Sequence, residues 1–548
     1  MSSLPTRGTG QQRRERWRDC LVIALAAILF TLLVRPFQNT PFVDDWVYAW
    51  SVENLLEHGR LQVLEYSSNI NLTQVLWGWL FCLPFGFSFV ALRLSTWFLA
   101  VGGLCGLYSL LRDLDVPRRN ALLGTATLGV YPIFAMLSVT FMTDVPFVSL
   151  TILASLAMVR TLRDRSLWWL VAATVMASLA VAIRTVGLVT PLAMFLALVV
   201  GGDGWGRRGG RWALSLLPFI VFAAIVYWRG SHIYQSADLT WVKNTTADRI
   251  AMLREFALPL LPRMAGETLA LLAGTLGLAL LPLSLACIRP GMLWRTFGIL
   301  VALGLVLAGL HAVGLHYPLP LMTGETWALN ELGGTSLLVP DPRVPPVPVA
   351  ICWVALAIGT LSLASATAAV SRLTRKPEQV FLVFAVAGHG ALMALLWLIS
   401  DRYVLVLVPY AIALVLSAGP PLRQRTAVPA LVVFALVTVA GMSDHLRYNR
   451  ALWQAVDLLQ RAGVPERDIN GGYMVNGWLQ YAHPEHAHRD SEGNLEIPWL
   501  NGANELPYKI ANSRADGWDV VQSLGYTSWL GPPGHIYVLK AGERGVVP

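Results

Sequence analysis

Long apolar segments alternate with short polar ones through the first four-fifths of the chain. A helix that crosses the hydrocarbon core of a bilayer, roughly 30 Å thick, needs about 20 mostly apolar residues. The sequence contains about thirteen segments that approach this length. They centre on 20–35, 90–111, 121–139, 145–161, 167–183, 186–200, 212–228, 267–287, 296–314, 348–370, 379–399, 403–418 and 426–441. The pattern predicts an all-α polytopic membrane protein.

Two further segments are predicted to lie along the membrane surface. Residues 72–86 are apolar but short and rich in Trp, and counting them as a span would break the alternation of loop charges downstream. The run from Trp50 to His58 is amphipathic and follows the first span directly. Both segments are expected to form juxtamembrane interfacial helices on the outer face.

Residues 442–548 depart abruptly from the apolar pattern. A helical spacing of Leu452, Val456 and Leu459 precedes a glycine-containing turn, and His535–Leu539 reads as a strand. These features predict a small extracytoplasmic α/β domain. The expected organisation is a cytoplasmic tail (1–19), a membrane domain (20–441) with outer loops 36–89, 230–266 and 315–347, and a C-terminal domain (442–548).

Composition and charge agree with a membrane protein. The chain is 55% hydrophobic and 14% charged, whereas soluble domains carry about 25% charged residues. This excludes an ordinary soluble protein and a nucleic-acid-binding domain built on charge. With the N-terminus inside, the inner loops hold 21 Lys and Arg residues and the outer loops before residue 442 hold 8, which favours that orientation. The Arg-rich usage and the organisation fit a bacterial inner membrane.

Adjacent carboxylates at Asp44 and Asp45 are the sharpest chemical feature. They follow the first span immediately, and Tyr48 lies one helical turn further on. Ionisable groups at the membrane boundary are costly and usually functional. The alternative is that one of the two Asp residues caps the helix expected to begin near Trp46. Capping needs one carboxylate, so a functional interpretation is favoured.

Three further ionisable residues emerge on the same predicted face. Asp144 stands at the outer mouth of the fourth span, where it could also act as an N-cap before Pro146. Arg402 follows Asp401 in an outer turn, where the two side chains could pair, or the guanidinium could bind a phosphate. Arg184 occupies another short outer turn and could simply snorkel to the interface. Together these charges suit a reaction of an anionic lipid with an uncharged acceptor.

Other motif classes receive no support. The five cysteines have no Cys-x-x-Cys spacing, and His483, His486 and His488 are better interpreted as a polar loop than as a metal site. The sequence has no phosphate-binding Walker loop, no Gly-x-Ser-x-Gly and no His-Glu-x-x-His. Nucleotide-driven pumping and the common hydrolase mechanisms are therefore disfavoured.

The order of the acidic motifs resembles that of membrane glycosyltransferases of the GT-C fold. More narrowly, the chain resembles the branch that contains the protein O-mannosyltransferases and the lipid A aminoarabinose transferases. Residues 44–49 are similar to that family's Asp-Glu-x-x-Tyr-Ala pattern, and residues 143–146 and Arg402-Tyr403, followed by Pro409, continue the resemblance over roughly residues 20–440. The chain departs from the family at 69–73, where a Lys and a Pro-Pro pair often stand, and it has no Lys before Lys243.

The resemblance implies a polyprenyl-phosphate-linked sugar as donor and a hydroxyl on a glycan, lipid or protein as acceptor. It implies an inverting single displacement in which Asp44 is the catalytic base, oriented or tuned by Asp45 and Asp144. Arg402, then Arg184, are the candidates for binding the donor phosphate. Tyr48 and Tyr403 complete the expected substrate site.

No cofactor is required by this scheme, although a divalent cation among the three Asp residues is compatible with the sequence. The expected partners are the donor, the acceptor and membrane lipids, without nucleic acid. Three alternatives remain open: a polysaccharide polymerase or ligase, a lipid-linked glycan transporter or flippase, and a non-catalytic membrane scaffold. A transporter would favour charged or broken helices near the midplane of the membrane.

Overall fold

The computed structural model is dominated by helices. It describes residues 10–42, 44–67, 69–201, 205–234, 272–312, 349–370, 376–395, 400–493, 495–497 and 506–542, with the isolated residues 251, 254, 255, 261, 265, 266, 268, 269 and 373. The predicted outer loop 315–347 and most of loop 230–266 lie outside the described residues.

The described residues form seventeen α-helices of five residues or more. In chain order they are α1 (Gly10–Val34), α2 (Asp45–His58), α3 (Leu72–Cys82), α4 (Phe89–Asp113), α5 (Arg118–Gly129), α6 (Pro132–Leu137), α7 (Asp144–Asp164), α8 (Leu167–Val181), α9 (Val189–Val200), α10 (Trp205–Gly230), α11 (Leu281–Cys287), α12 (Leu293–Ala312), α13 (Val349–Ala369), α14 (Pro377–Met393), α15 (Leu407–Ala418), α16 (Gln424–Arg461) and α17 (Gly472–Asn476). Short 3-10 turns at Thr185–Leu188 and Asp401–Val406 lead into α9 and α15.

Several of these helices can cross a membrane. Six of the described helices are long and apolar enough, and a seventh span results if Leu281–Cys287 and Pro290–Val306, bent by 109°, are counted as one. Shorter apolar helices occupy most of the other predicted spans, among them α8, α14 and the segment Thr185–Val200. The prediction of an all-α, multi-pass membrane protein is confirmed.

Some predicted spans are interrupted. The apolar run 121–139 is divided into α5 and α6, because Pro132 lacks an N–H and disfavours helical geometry at Tyr131. The predicted surface segments are α2 and α3, and α3 has 11 residues, which at about 1.5 Å per residue is too short to cross the membrane.

Charged side chains gather at both ends of α4. Near its start, Arg93 lies 3.6 Å from Asp45. Near its end, Asp113 pairs with Arg16 at 2.6 Å and with Arg160 at 2.7 Å. The 20-residue separation of Arg93 and Asp113 corresponds to about 30 Å along a helix. Arginines that were predicted to share the inner face therefore do meet at one end of the helix bundle.

A small sheet follows the last long helix. The described strands are β1 (Val63–Leu64), β2 (Ile233–Tyr234), β3 (Ile469–Asn470), β4 (His488–Arg489), β5 (Leu495–Glu496), β6 (Tyr508–Ala511), β7 (Trp518–Tyr526) and β8 (Gly534–Ala541). The strand order of this sheet is β3-β6-β8-β7. Only β3 and β6 pair in parallel in this sheet. The second half of α16 packs on it through Leu452 and Val456, as the helical spacing predicted. Since α16 has 38 residues, one helix runs without a break across the expected boundary at 441/442.

Candidate active site

Asp44 stands at the N-cap position of α2 without capping it. Its side chain makes no cap hydrogen bond. Instead, Nη1 of Arg402 donates to Asp44 Oδ2 at 3.1 Å. The Asp44 side chain is 13% exposed and the Arg402 side chain is 14% exposed. A carboxylate and a guanidinium that are distant in sequence thus form a partly accessible ion pair at the beginning of α2.

Asp45 has a different environment, although it is the next residue. Its side chain is buried, Oδ1 accepts from the Phe141 N–H at 2.8 Å, and Oδ2 accepts from the Phe42 N–H at 3.3 Å. Burial raises the pKa of Asp45 to about 7, and the positive charge of Arg93 opposes that shift. Asp45 therefore ties the loop before α2 to the loop before α7, which fits an orienting role better than direct contact with a substrate.

Asp144 and Arg184 form a second ion pair. Thr143 holds the N-cap position of α7, and Asp144 is the first helical residue. Arg184 Nη1 lies 2.9 Å from Asp144 Oδ1, and Arg184 Nε donates to Thr143 Oγ1 at 2.9 Å. Both charged side chains are buried, with 8% and 1% exposure. Arg184 thus makes specific contacts inside the protein and is not a snorkelling surface residue.

Tyr403 and Tyr48 lie beside these two pairs. The Tyr403 ring centre is 5.4 Å from the guanidinium carbon of Arg184 and 5.9 Å from that of Arg402, which are cation–π distances. The Tyr48 hydroxyl accepts from Asn69 Nδ2 at 3.4 Å. Burial and the charge of Asp44 raise the pKa of Tyr48 to about 12, so its hydroxyl stays protonated. The structure therefore gathers the predicted site residues in one region, with Asp45 turned into the core.

Sequence reasoning missed two residues of this region. Arg93 binds the backbone carbonyls of Gln38 and Thr40 as well as approaching Asp45. The signal for it was an arginine near the start of an apolar segment. Tyr473, from the C-terminal region, packs its ring on Trp46 and Tyr66, and the charge of Asp44 contributes to its raised pKa. No periodic pattern in the sequence predicts a contact between Tyr473 and the start of α2, which lie more than 400 positions apart.

Metal-binding geometry is not found in the described residues. Each of the three Asp residues faces a different arginine. Among residues that the structure describes, no group of three or more His, Cys, Asp and Glu side chains could hold a metal ion. His483, His486 and His488 each contact carboxylates instead. The expectation about a divalent cation stays a prediction.

Comparison with known proteins adds a sequence match to this geometry. Residues 76–228 match the family model described as dolichyl-phosphate-mannose-protein mannosyltransferase. This range contains Asp144 and Arg184, but neither Asp44 nor Arg402. No curated protein matches the chain.

Solved structures give distant similarities. ArnT from Cupriavidus metallidurans bound to undecaprenyl phosphate is 12% identical with a TM-score of 0.41, over 96% of this chain and 99% of that one. The oligosaccharyltransferase AglB from Archaeoglobus fulgidus, in complex with an inhibitory peptide and a dolichol-phosphate, is 14% identical with a TM-score of 0.41. That similarity covers 82% of this chain and 60% of AglB. By its family match, this chain resembles the protein mannosyltransferase branch of the membrane glycosyltransferases.

Proposed function

We propose that this chain transfers a sugar from a polyprenyl-phosphate donor to an acceptor hydroxyl on the extracytoplasmic side of a bacterial inner membrane. The observation that carries the proposal is the pair of Asp44 and Arg402, joined at 3.1 Å and partly exposed. A candidate base and a candidate phosphate ligand are in contact there. Displacement at a sugar phosphate needs both groups.

Competition for Arg402 links donor binding to base activation. A lipid phosphate is an anion that guanidinium binds well, often through two parallel hydrogen bonds. When the phosphate occupies Arg402, Asp44 loses this cationic partner and its carboxylate becomes available to an acceptor hydroxyl. The Tyr403 ring lies within cation–π distance of the guanidinium groups of Arg184 and Arg402. The donor would thus prepare the base for its own reaction.

The chemical step is a single displacement. The acceptor oxygen attacks the anomeric carbon while its proton passes to Asp44. The bond between the anomeric carbon and the phosphate oxygen breaks, and lipid phosphate leaves with its charge balanced by Arg402. Because the attack comes from the face opposite the leaving group, the anomeric configuration inverts. Asp45 and Asp144 do not touch the substrate in this scheme and hold the two loops in place.

The test compares Asp44→Asn with wild type in membranes supplied with a labelled polyprenyl-phosphate sugar. Loss of a general base typically slows a reaction by about 10²–10⁴-fold, so transfer by Asp44→Asn should fall by at least about 100-fold. Asp457→Asn is the matched control, because Asp457 is half exposed and pairs only with Arg461 among the contacts described. Full transfer by Asp44→Asn at equal membrane abundance would contradict the proposal.

A further inference from the structure

Tyr473 enters the candidate site from the C-terminal region. It lies in α17, the short helix that follows β3. The turn between them is fixed by side-chain amides: Asn476 Oδ1 accepts from the Gly471 N–H at 2.9 Å, and Asn476 Nδ2 donates to Asn470 Oδ1 at 3.0 Å. Gly472 has φ +81°, a conformation that favours glycine. The chain is therefore held in a defined geometry directly before Tyr473.

Aromatic packing fixes the Tyr473 ring against α2. Its centre lies 5.8 Å from the Trp46 ring and 6.1 Å from the Tyr66 ring. Gly477, four residues later, approaches so closely that a Cβ atom there would lie 2.4 Å from Trp46 Cε2. The segment 472–477 is thus packed tightly against the first turn of α2, where Asp44 and Asp45 stand.

The packing on Trp46 places the Tyr473 phenol beside Asp44, toward whose carboxylate a phenol can act only as a hydrogen-bond donor. Burial, the negative charge of Asp44 and the hydrogen bonds to Asp44 and Tyr66 raise the pKa of Tyr473 well above its usual value. The phenol consequently keeps its proton throughout the neutral range. Arg402 donates to Asp44 from the membrane domain, and Tyr473 is placed to be a second donor from the C-terminal region.

We infer that Tyr473 is a positioning residue for the base of the transfer reaction and that the site is incomplete without the C-terminal region. This inference rests on the proposed function. When the donor phosphate takes Arg402, the Tyr473 phenol remains bound to the Asp44 carboxylate. It holds that carboxylate in orientation and stabilises its ionised form until the acceptor proton arrives.

The test substitutes Tyr473→Phe and measures the pH dependence of transfer. Without this donor the ionised base is less stable, so the acidic limb of kcat/KM moves to higher pH. Because Tyr473→Phe removes a hydrogen bond to a charged group, we expect kcat to fall on the order of 10-fold or more. KM for the donor changes little, because Tyr473 does not contact the phosphate in this scheme.

Tyr481→Phe is the matched control. Tyr481 lies four residues after Gly477 and packs on the same Trp46 and Tyr66 rings, but its hydroxyl donates to Glu65 Oε1 at 2.9 Å. We expect it to leave the acidic limb unchanged. If Tyr473→Phe and Tyr481→Phe behave alike in rate and pH profile, the inference is wrong. Absence of transfer by wild type, or full transfer by Asp44→Asn, contradicts the proposed function instead.

A second variant tests the inference if Tyr473→Phe accumulates poorly in the membrane. Fluorotyrosine incorporated at position 473 preserves ring and hydroxyl and makes the phenol a stronger donor. The acidic limb of kcat/KM should then move to lower pH, opposite to the Phe variant. An unchanged limb with fluorotyrosine at position 473 overturns the inference.

Discussion

The two ion pairs of the candidate site differ in how far water reaches them. Asp44 and Arg402 are 13% and 14% exposed, whereas Asp144 and Arg184 are 1% and 8% exposed. A buried pair cannot be separated without leaving an unpaired charge in a low dielectric, and that is strongly destabilising. The accessible pair is therefore suited to exchanging partners with a substrate, and the buried pair is suited to holding the loops before α7 and α9.

A double-mutant cycle tests the structural role of the buried pair. Arg184→Gln leaves the Asp144 carboxylate buried without its cation, and such a loss costs about 3–5 kcal/mol. We expect Arg184→Gln to lower the thermal unfolding midpoint in detergent strongly. Arg184→Gln combined with Asp144→Asn should recover part of that loss, since no charge remains buried. If Arg184→Gln keeps its stability and instead raises KM for the donor, Arg184 binds the phosphate.

Local signals in the sequence predicted individual residues better than the contacts between them. Asp44, Asp144, Arg184 and Arg402 were found because charges are conspicuous beside apolar segments. Their pairing could not be predicted, because residue order does not fix which carboxylate faces which guanidinium. The different environments of Asp44 and Asp45 were also hidden, since adjacent residues of a helix point in directions about 100° apart.

At the scale of elements, apolar runs predicted where the helices lie but not where they break. The start of α2 near Trp46 was predicted from its amphipathic pattern, and α3 from its length and Trp content. The division of the apolar run 121–139 at Val130–Tyr131 was not predicted, because one long helix and two shorter helices can have the same apolar composition. The continuation of α16 beyond residue 441 was also hidden, since hydropathy falls at the membrane boundary while the helix persists.

The contact of α2 with the C-terminal region predicts a pH dependence. His483 Nε2 lies 3.4 Å from Glu53 Oε2, and Glu57, Glu485, Glu466 and His486 also surround this contact. Burial raises the pKa of Glu53 from 4.5 to about 7, and burial lowers the pKa of His483. Between pH 4.5 and about 7, Glu53 is therefore protonated in the folded protein and ionised in the unfolded chain.

The sign of the effect follows from that proton. The stability that protonated Glu53 contributes is fully present below pH 4.5 and is lost as the pH rises through about 7. Relative to Glu53→Gln, wild type should lose up to about 3 kcal/mol over this range. Because His483 acts in the opposite direction, only the difference between the two proteins isolates Glu53. Unfolding midpoints measured from pH 4.5 to 7.5 test this, with Glu492→Gln as control, because Glu492 is exposed and does not contribute to the pKa shift of Glu53. Parallel curves for wild type and Glu53→Gln contradict the prediction.

At the scale of the whole molecule, the two ends of the helix bundle differ: one is joined by ion pairs between helices, and the other carries the candidate site. Asp19 and Asp113 bind Arg118, Arg16 and Arg160 at one end, with Tyr108 also bonded to Asp19. These pairs join α1 to α4, α5 and α7. The count of loop charges predicted that these arginines share a face. The count of loop charges could not predict the opposite end. There the C-terminal region packs on α2 through aromatic side chains, which leave no pattern of charges in the sequence.

A single methyl group at Gly477 should weaken the packing of the C-terminal region on α2. In Gly477→Ala the new Cβ would lie 2.4–2.7 Å from Trp46 Cε2, Cζ2 and Nε1. Trp46 is completely buried and packs against Tyr66 and Tyr481, so it has little room to move. Such overpacking costs about 1–3 kcal/mol. We expect the C-terminal region to become more sensitive to protease.

Transfer should fall together with protease resistance, since displacing this segment also moves Tyr473 away from Asp44. Gly531→Ala is the control in the same region, because its Cβ would meet only Ser528 Oγ at an ordinary 3.5 Å. If Gly477→Ala resists protease like Gly531→Ala and retains transfer, the tight docking on Trp46 does not support the site. A parallel loss of both properties, absent from the control, ties catalysis in the membrane domain to the docking of the C-terminal region.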